Sequence, residues 1–254
     1  MKIFNKIKTY LFAAEMFVSI SIVIVLMFFF RKHNFAIRRN WARLQVWLLG
    51  CEIQVEGEVD LKSNLVLANH QSMLDIIVML GFYPKDLAFV AKKEIGDLFF
   101  FGQTVKLTKM ILIDRQNPHS LKKMMSDCAR RVSEGRTILL FPEGTRGGGE
   151  KLLPFKNGAR MMAQKLSMRV QPVVLVNTRA VMDSQKFELG SKKAWVKVIY
   201  LSSVDLSQAQ SQTSKELAKT QPQNEALPSE WFANIERQMN EVYDKQMQIL
   251  NENA

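Results

Sequence analysis

Cysteine is scarce. The 254 residues hold two, Cys51 and Cys128, too few for a disulfide framework, and neither has the neighbour spacing of a metal ligand. They read as small buried hydrophobes in a reducing compartment. No GxSxG elbow and no reactive-cysteine pattern offers a covalent nucleophile. No GxxxxGK(S/T) loop awaits a nucleotide, and no HExxH awaits zinc. Histidine occurs three times, so chemistry that needs an imidazole has few places to sit. Acidic residues are also short, 24 against 35 basic, for a net charge of +11. That imbalance calls for an anionic partner: nucleic acid, an acidic membrane surface or a phosphorylated substrate.

Where the charge lies narrows the choice. Through residue 50 the basic residues Lys2, Lys6, Lys8, Arg31, Lys32, Arg38, Arg39 and Arg43 face Glu15 alone, so most of the excess flanks the most apolar segment. That segment, Leu11 to Phe30, has the length of a helix that crosses the roughly 30 Å hydrocarbon layer. Glu15 complicates the count, because the uncharged run from Met16 to Phe30 falls between spanning and interfacial lengths. Arg31 and Lys32 follow it in place of a small-residue cleavage site, so the segment is expected to stay as an anchor. Basic residues at both ends leave the positive-inside bias without a direction. Next, Trp41, Leu44, Trp47 and Leu48 recur at helical spacing, with Arg38, Arg39 and Arg43 elsewhere around the helix. Such a helix lies in a headgroup layer or covers the domain core. The clustering of charge around an anchor, with no nucleic-acid motif, argues against nucleic acid.

From Asn64 onward short apolar runs alternate with helical patterns, the signature of an α/β fold with a mostly parallel sheet flanked by helices. Strands are expected at Leu65–Ala68, Leu87–Ala91, Met110–Ile113, Thr137–Phe141, Val170–Val176 and Trp195–Leu201. Pro172 marks the fifth of these as an edge strand or a bulge. Helices are expected at Ser72–Leu80, from Asn117 and Pro118 to Gly135, at Gly158–Leu166 and at Trp231–Leu250. The stretch from Ser207 to Glu230 is polar and rich in Gln and Ser, a linker or a weak helix. The chain therefore divides into a membrane anchor and amphipathic helix (1–50), an α/β domain (51–206), and a polar linker with a C-terminal helix (207–254). It shows no internal repeat.

Chemistry concentrates at strand ends, where α/β ligand sites usually lie. In LVLANHQSMLD a buried strand opens into Asn69, His70, Gln71 and Ser72, with Asp75 five residues beyond the histidine. An imidazole with an ordinary pKa near 6.5 accepts a proton at neutral pH, and a carboxylate on its other nitrogen fixes the tautomer. Ser72 and Asp75 also spell a capping box, so Asp75 serves the histidine or merely caps a helix. TILLF runs into FPEGTRGGGE, which presents Glu143 and Arg146 on a Pro/Gly turn. ILIDR adds Asp114 and Arg115, and AKKE adds Lys92 and Lys93, each at the end of a strand. A His/Asp pair without a protein nucleophile deprotonates a substrate hydroxyl that then attacks an activated acyl group. The nearby cations would hold a phosphate, Arg as a fork and Lys as a point charge.

At these residues the chain resembles the glycerolipid acyltransferase family, and most closely its bacterial 1-acylglycerol-3-phosphate branch. NHQSMLD looks like the NHxxxxD block, FPEGTR like the EGTR block, ILIDR like the end of the substrate-binding block, and QPVVLV like the late proline-containing strand. The resemblance covers roughly Asn64 to Val176. It implies that lysophosphatidate plus acyl-CoA or acyl-carrier protein gives phosphatidate, with no cofactor and no metal. It assigns His70 as general base and Asp75 as its orienting partner, and gives Glu143, Gly144, Thr145 and Arg146 to substrate positioning. Arg115, with Lys92, would contact the acceptor's phosphate, Lys93 being the reserve. The amino-terminal helices would dock the enzyme on membrane lipids, in a bacterial inner membrane with the catalytic domain on the cytoplasmic side. One departure stands out: Thr108-Lys109-Met110 occupies the place of a family glycine, and the lysine is expected to narrow the acceptor pocket or to add a phosphate contact. Related enzymes acylate glycerol phosphate, other lysophospholipids or lyso-ornithine lipid. A reading from a different class is a membrane protein that binds anionic headgroups without turnover.

Overall fold

The computed structural model describes residues 2–98, 101–114, 118–190, 194–207 and 230–252. Arg115, the expected N-cap Asn117 and residues 208–229 of the expected linker Ser207–Glu230 lie outside these.

The centre of the molecule is a sheet of order β1-β9-β6-β2-β5-β3-β4, with β10 also on β6. Its strands are β1 (Glu52–Glu56), β2 (Leu65–Ala68), β3 (Leu87–Lys92), β4 (Ile111–Ile113), β5 (Thr137–Leu140), β6 (Arg169–Val176), β9 (Trp195–Tyr200) and β10 (Val204–Asp205). The run from β6 through β2, β5 and β3 to β4 is parallel throughout, while β9 and β10 meet β6 antiparallel. A small hairpin, β7 (Met182–Asp183) with β8 (Glu188–Leu189), stands apart.

Strand β2 shows why the sheet is covered on both faces. All four of its residues are fully buried, and side chains alternate across a strand. Val66 and Ala68 join Ala42 and Val46 of α2 (Asn34–Leu48) and Leu74 and Val78 of α3 (Met73–Phe82). Leu65 and Leu67 join Met124 and Cys128 of α6 (Pro118–Ser133), Met162 of α7 (Asn157–Lys165), and Met239 and Tyr243 of α9 (Glu230–Glu252). Burial on both faces is what a run of uninterrupted apolar residues in a parallel strand requires. The short helices α4 (Lys93–Asp97), α5 (Phe101–Thr108) and α8 (Thr178–Val181) follow β3, precede β4 and follow β6.

Helix α1 (Lys2–Phe29) holds the apolar segment; its stretch Asn5–Phe29 is long and apolar enough to cross a membrane. Glu15 does not face outward. Its carboxylate accepts a bond from Gln45 of α2 at 3.1 Å, and Ser19 one turn on accepts from Trp41 at 3.0 Å. Elsewhere on α1 Phe17, Ile22 and Phe29 are exposed, and Trp47 on α2 is 73% exposed beside exposed Leu44 and Leu48.

Expectations are refined at four positions. Pro172 is not on an edge, since β6 lies between β2 and β9. It meets the other alternative, a bulge in the antiparallel ladder: Val170 faces Val204 and Val173 faces Tyr200, so residues 171–172 stand opposite 201–203. A residue without an N–H is tolerated there. Arg38 is not on the polar face of α2; it is buried against Asp86 and donates to the Leu87 carbonyl at 3.3 Å. Cys51 is half-buried, unlike Cys128. Lys109 lies at the amino end of β4, the opposite end of the sheet from the strand ends that carry His70. Its φ of +53 explains why a glycine suits the position, because this left-handed backbone strains a side-chain-bearing residue.

Candidate active site

Asn69 closes β2. Its side-chain amide donates to the Leu175 carbonyl at 2.9 Å and its oxygen accepts from the Leu175 N–H at 2.7 Å, mimicking one more ladder step to β6. The chain then leaves the sheet at His70. Its ring lies flat on Phe141, centroids 4.0 Å apart and planes 13° from parallel, and its Nδ1 is 2.9 Å from Asp75 Oδ2.

Asp75 performs both functions that the sequence left open. It is the third residue of α3, in a capping box with Ser72, whose Oγ accepts from the Leu74 N–H at 3.1 Å. The same Oδ2 that meets His70 also accepts the N–H groups of Gln71 at 2.6 Å and Ser72 at 2.7 Å. A carboxylate oxygen accepts hydrogen bonds, so the ring atom that faces it is assigned as the donor: Nδ1 carries the proton and Nε2 is left bare to accept one. The histidine side chain is 14% exposed.

Glu143 sits at the end of β5, beside β2, and is 1% exposed. Its Oε1 accepts the His70 backbone N–H at 2.6 Å; its Oε2 accepts the Leu153 N–H at 2.8 Å and faces Gln71 Nε2 at 3.5 Å. Burial pushes the carboxyl up to about 7; the nearby Asp75 charge adds to this and the donors oppose it. The glycines that follow wrap the histidine loop. Gly144 turns the chain at φ +74, and the Gly147 N–H donates to the His70 carbonyl at 2.8 Å. A Cβ on Gly147 would lie 2.5 Å from Gln71 Oε1, so any larger residue would displace the Gln71 amide. Gln71 Oε1 in turn accepts the Gly149 N–H at 3.0 Å.

The remaining cations rim the same edge. Arg146 is half-buried and donates to Ser184 Oγ at 2.8 Å, while Thr145 is exposed. Lys92 ends β3 exposed, and Lys93 pairs with Asp114, at the end of β4, at 3.7 Å. The structure thus gathers His70, Asp75, Glu143, Gly144 and Arg146 on adjacent loops, with Lys92 and Lys93 farther along that edge. Sequence reasoning gave no role to Phe141, Gln71 or Ser184. The first two lie inside the quoted motifs, but Ser184 stands 38 residues from Arg146 with no local signal.

The arrangement suits proton abstraction from a hydroxyl beside an anion-binding rim. A family model described as Acyltransferase matches residues 52–176. A 1-acyl-sn-glycerol-3-phosphate acyltransferase of Helicobacter pylori is 36% identical over 188 residues, covering 73% of this chain and 78% of that protein. A lyso-ornithine lipid O-acyltransferase of Rhizobium meliloti is 34% identical over 148 residues, covering 55% of this chain and 50% of that protein. The crystal structure of the 1-acyl-sn-glycerophosphate acyltransferase PlsC from Thermotoga maritima shares the fold with a TM-score of 0.67 at 23% identity, covering 87% of this chain and 99% of that one.

Proposed function

The chain belongs to the acyltransferase family that includes the bacterial 1-acyl-sn-glycerol-3-phosphate acyltransferases, and on that premise we propose that it acylates the 2-hydroxyl of 1-acylglycerol-3-phosphate to give phosphatidate. The donor is a thioester, acyl-CoA or acyl-carrier protein. His70 Nε2 takes the proton of the acceptor hydroxyl as its oxygen attacks the thioester carbonyl. The carbon–sulfur bond then breaks, and the leaving thiolate takes the proton back from the imidazolium. Asp75 stabilises that imidazolium without accepting its proton. Arg146, Arg115 and Lys92 hold the acceptor's phosphate, Lys93 being less free because of Asp114. No step calls for a metal or a prosthetic group. The observation that carries the reading is the 2.9 Å contact of Nδ1 with an aspartate already fixed by two backbone donors.

The membrane seat follows from α1. It touches the β7–β8 hairpin at Thr9 and Tyr10, and α2 at Glu15 and Ser19, so it lies along the domain over much of its length. A helix held this way places its exposed apolar face, with Trp47 of α2, in one leaflet. We place that leaflet on the cytoplasmic side of a bacterial inner membrane, where acceptor and product reside.

The deciding experiment incubates purified protein with acyl-CoA or acyl-carrier protein and a panel of lysolipids, with products identified by mass. Phosphatidate is expected. Acylation of lyso-ornithine lipid alone would move the assignment to that related activity, and no product with either donor would favour headgroup binding without turnover.

A further inference from the structure

The β7–β8 hairpin lies outside every motif that carries the chemistry, yet it touches each part of it. The Asp183 carboxylate accepts the N–H groups of Gln185 and Lys186, both at 3.0 Å, which folds the turn. On one side the hairpin rests on α1: the Leu189 N–H donates to Thr9 Oγ1 at 3.2 Å, and Phe187 lies 6.2 Å from Tyr10 between ring centroids. On the other it meets both catalytic loops. Ser72 Oγ donates to the Met182 carbonyl at 2.5 Å. Gln185 Nε2 donates to the Arg146 carbonyl at 3.2 Å. Arg179, beside it, pairs with Asp183 at 3.1 Å and donates to the Gly147 carbonyl at 2.5 Å.

The junction is one hydroxyl. Ser184 Oγ accepts from Arg146 Nη1 at 2.8 Å and from the Met73 N–H, the first residue of α3, at 3.1 Å. One oxygen therefore ties the arginine of the glycine-rich turn to the start of the helix that carries Asp75. A guanidinium has five donors in a fixed fork, so using one to fix its orientation leaves the others for an anion. Immobilising a long arginine side chain costs rotamer entropy. A neighbour that holds the fork before substrate arrives removes part of that cost from phosphate binding.

We propose that Ser184 is a positioning residue for the acceptor's phosphate: from a hairpin seated on the membrane helix, it holds Arg146 in the orientation that receives the phosphate and registers it against the His70 loop. The proposal rests on the reading of Arg146 as a phosphate ligand. It assigns to the hairpin a role in acceptor selection that its sequence does not advertise.

The test compares wild type, Ser184→Ala, Ser184→Thr, Arg146→Ala and the double variant Arg146→Ala/Ser184→Ala. Assays use lysophosphatidate and a monoacylglycerol lacking the phosphate, and thermal unfolding is followed for each protein. For Ser184→Ala the KM for lysophosphatidate is expected to rise about three- to tenfold with kcat within twofold, a loss of 0.7–1.4 kcal/mol in binding by the tenfold-per-1.4 conversion. The phosphate-free acceptor is expected to be unaffected. Ser184→Thr should restore the KM, and Ser184→Ala should add nothing once Arg146 is gone, as required of a residue acting through another. Additive effects in the double variant, or equal losses with both acceptors, would overturn the proposal and reduce Ser184 to a fold-supporting turn residue. An Arg146→Ala variant with unchanged KM would instead overturn the underlying assignment of Arg146.

Discussion

At the residue scale the site is built from carboxylates whose surroundings set them to different tasks. Asp75 is fixed by backbone donors and faces the histidine; Glu143 is fixed by backbone donors and faces the histidine's own main chain. Replacing His70 with Ala removes the proposed base and is expected to lower turnover by about two to four orders of magnitude with little change in unfolding temperature, read by steady-state assay and calorimetry. Near-normal acyl transfer would show that the base is wrongly assigned. Glu143 makes a prediction about pH. Its folded-state value, raised from 4.5 to about 7, means that the folded protein holds a proton the unfolded chain has released. The stability this contributes is fully present below about 4.5 and is lost as pH rises through about 7. Glu143→Gln should abolish that slope. It should also cost about 1–3 kcal/mol at neutral pH, since one of the two backbone N–H groups would then face an amide donor. Urea titrations at several pH values read both effects, and an unchanged slope would remove Glu143 as its source.

At the element scale the amino end of the sheet carries stability while the carboxyl end carries chemistry. Asp86 pairs with Arg38 of α2 and, at 3.2 Å, with Arg136 just ahead of β5. Both guanidiniums are almost fully buried, and burial draws both below the usual arginine value against the pull of Asp86. Arg136 further donates to the Leu87 and Thr108 carbonyls at 2.7 and 3.0 Å, so this one cluster ties α2, β3, α5 and β5 together. Asp86→Ala would leave two buried cations without their carboxylate, and a loss of about 3–5 kcal/mol is expected, measured by denaturant unfolding in detergent. An effect under about 1 kcal/mol would mean that water or another acceptor satisfies the arginines.

At the scale of the whole molecule the apolar surface is lopsided. The outer face of α1 and the exposed Trp47, Leu44 and Leu48 of α2 belong to the two amino-terminal helices, while the sheet carries its cations at the strand ends. Trp47→Glu should weaken binding to phospholipid vesicles severalfold, because an interfacial aromatic becomes a charge, and should leave activity in detergent micelles near wild type. Sedimentation with vesicles reads the first and a micellar assay the second. Unchanged vesicle binding would show that α2 does not touch the lipid. The Glu15 contact with Gln45 bears on the same surface, since it turns the one acidic group of α1 toward protein and leaves the outer face uninterrupted.

The alternating apolar runs were enough to read an α/β sheet, because a parallel strand buried on both faces has little room for polar residues. NHQSMLD and FPEGTR singled out His70, Asp75, Glu143 and Arg146, because each motif is confined to one loop, and the fold sets the two loops side by side. What lay beyond sequence reading required contacts between distant segments. Whether Asp75 caps α3 or meets His70 could not be told from spacing, and the fold shows one oxygen doing both. Pro172 in an interior strand became intelligible only through the partner change from β10 to β9. The ion pair of Arg38 with Asp86 joins residues 48 positions apart, which the spacing within α2 does not show. The tie between Ser184 and Arg146 exists only because the hairpin folds back between α1 and the carboxyl edge of the sheet. Local pattern encodes which faces are buried and which loops carry reactive groups; which buried polar atoms find one another is decided by chain crossings that no short stretch of sequence contains.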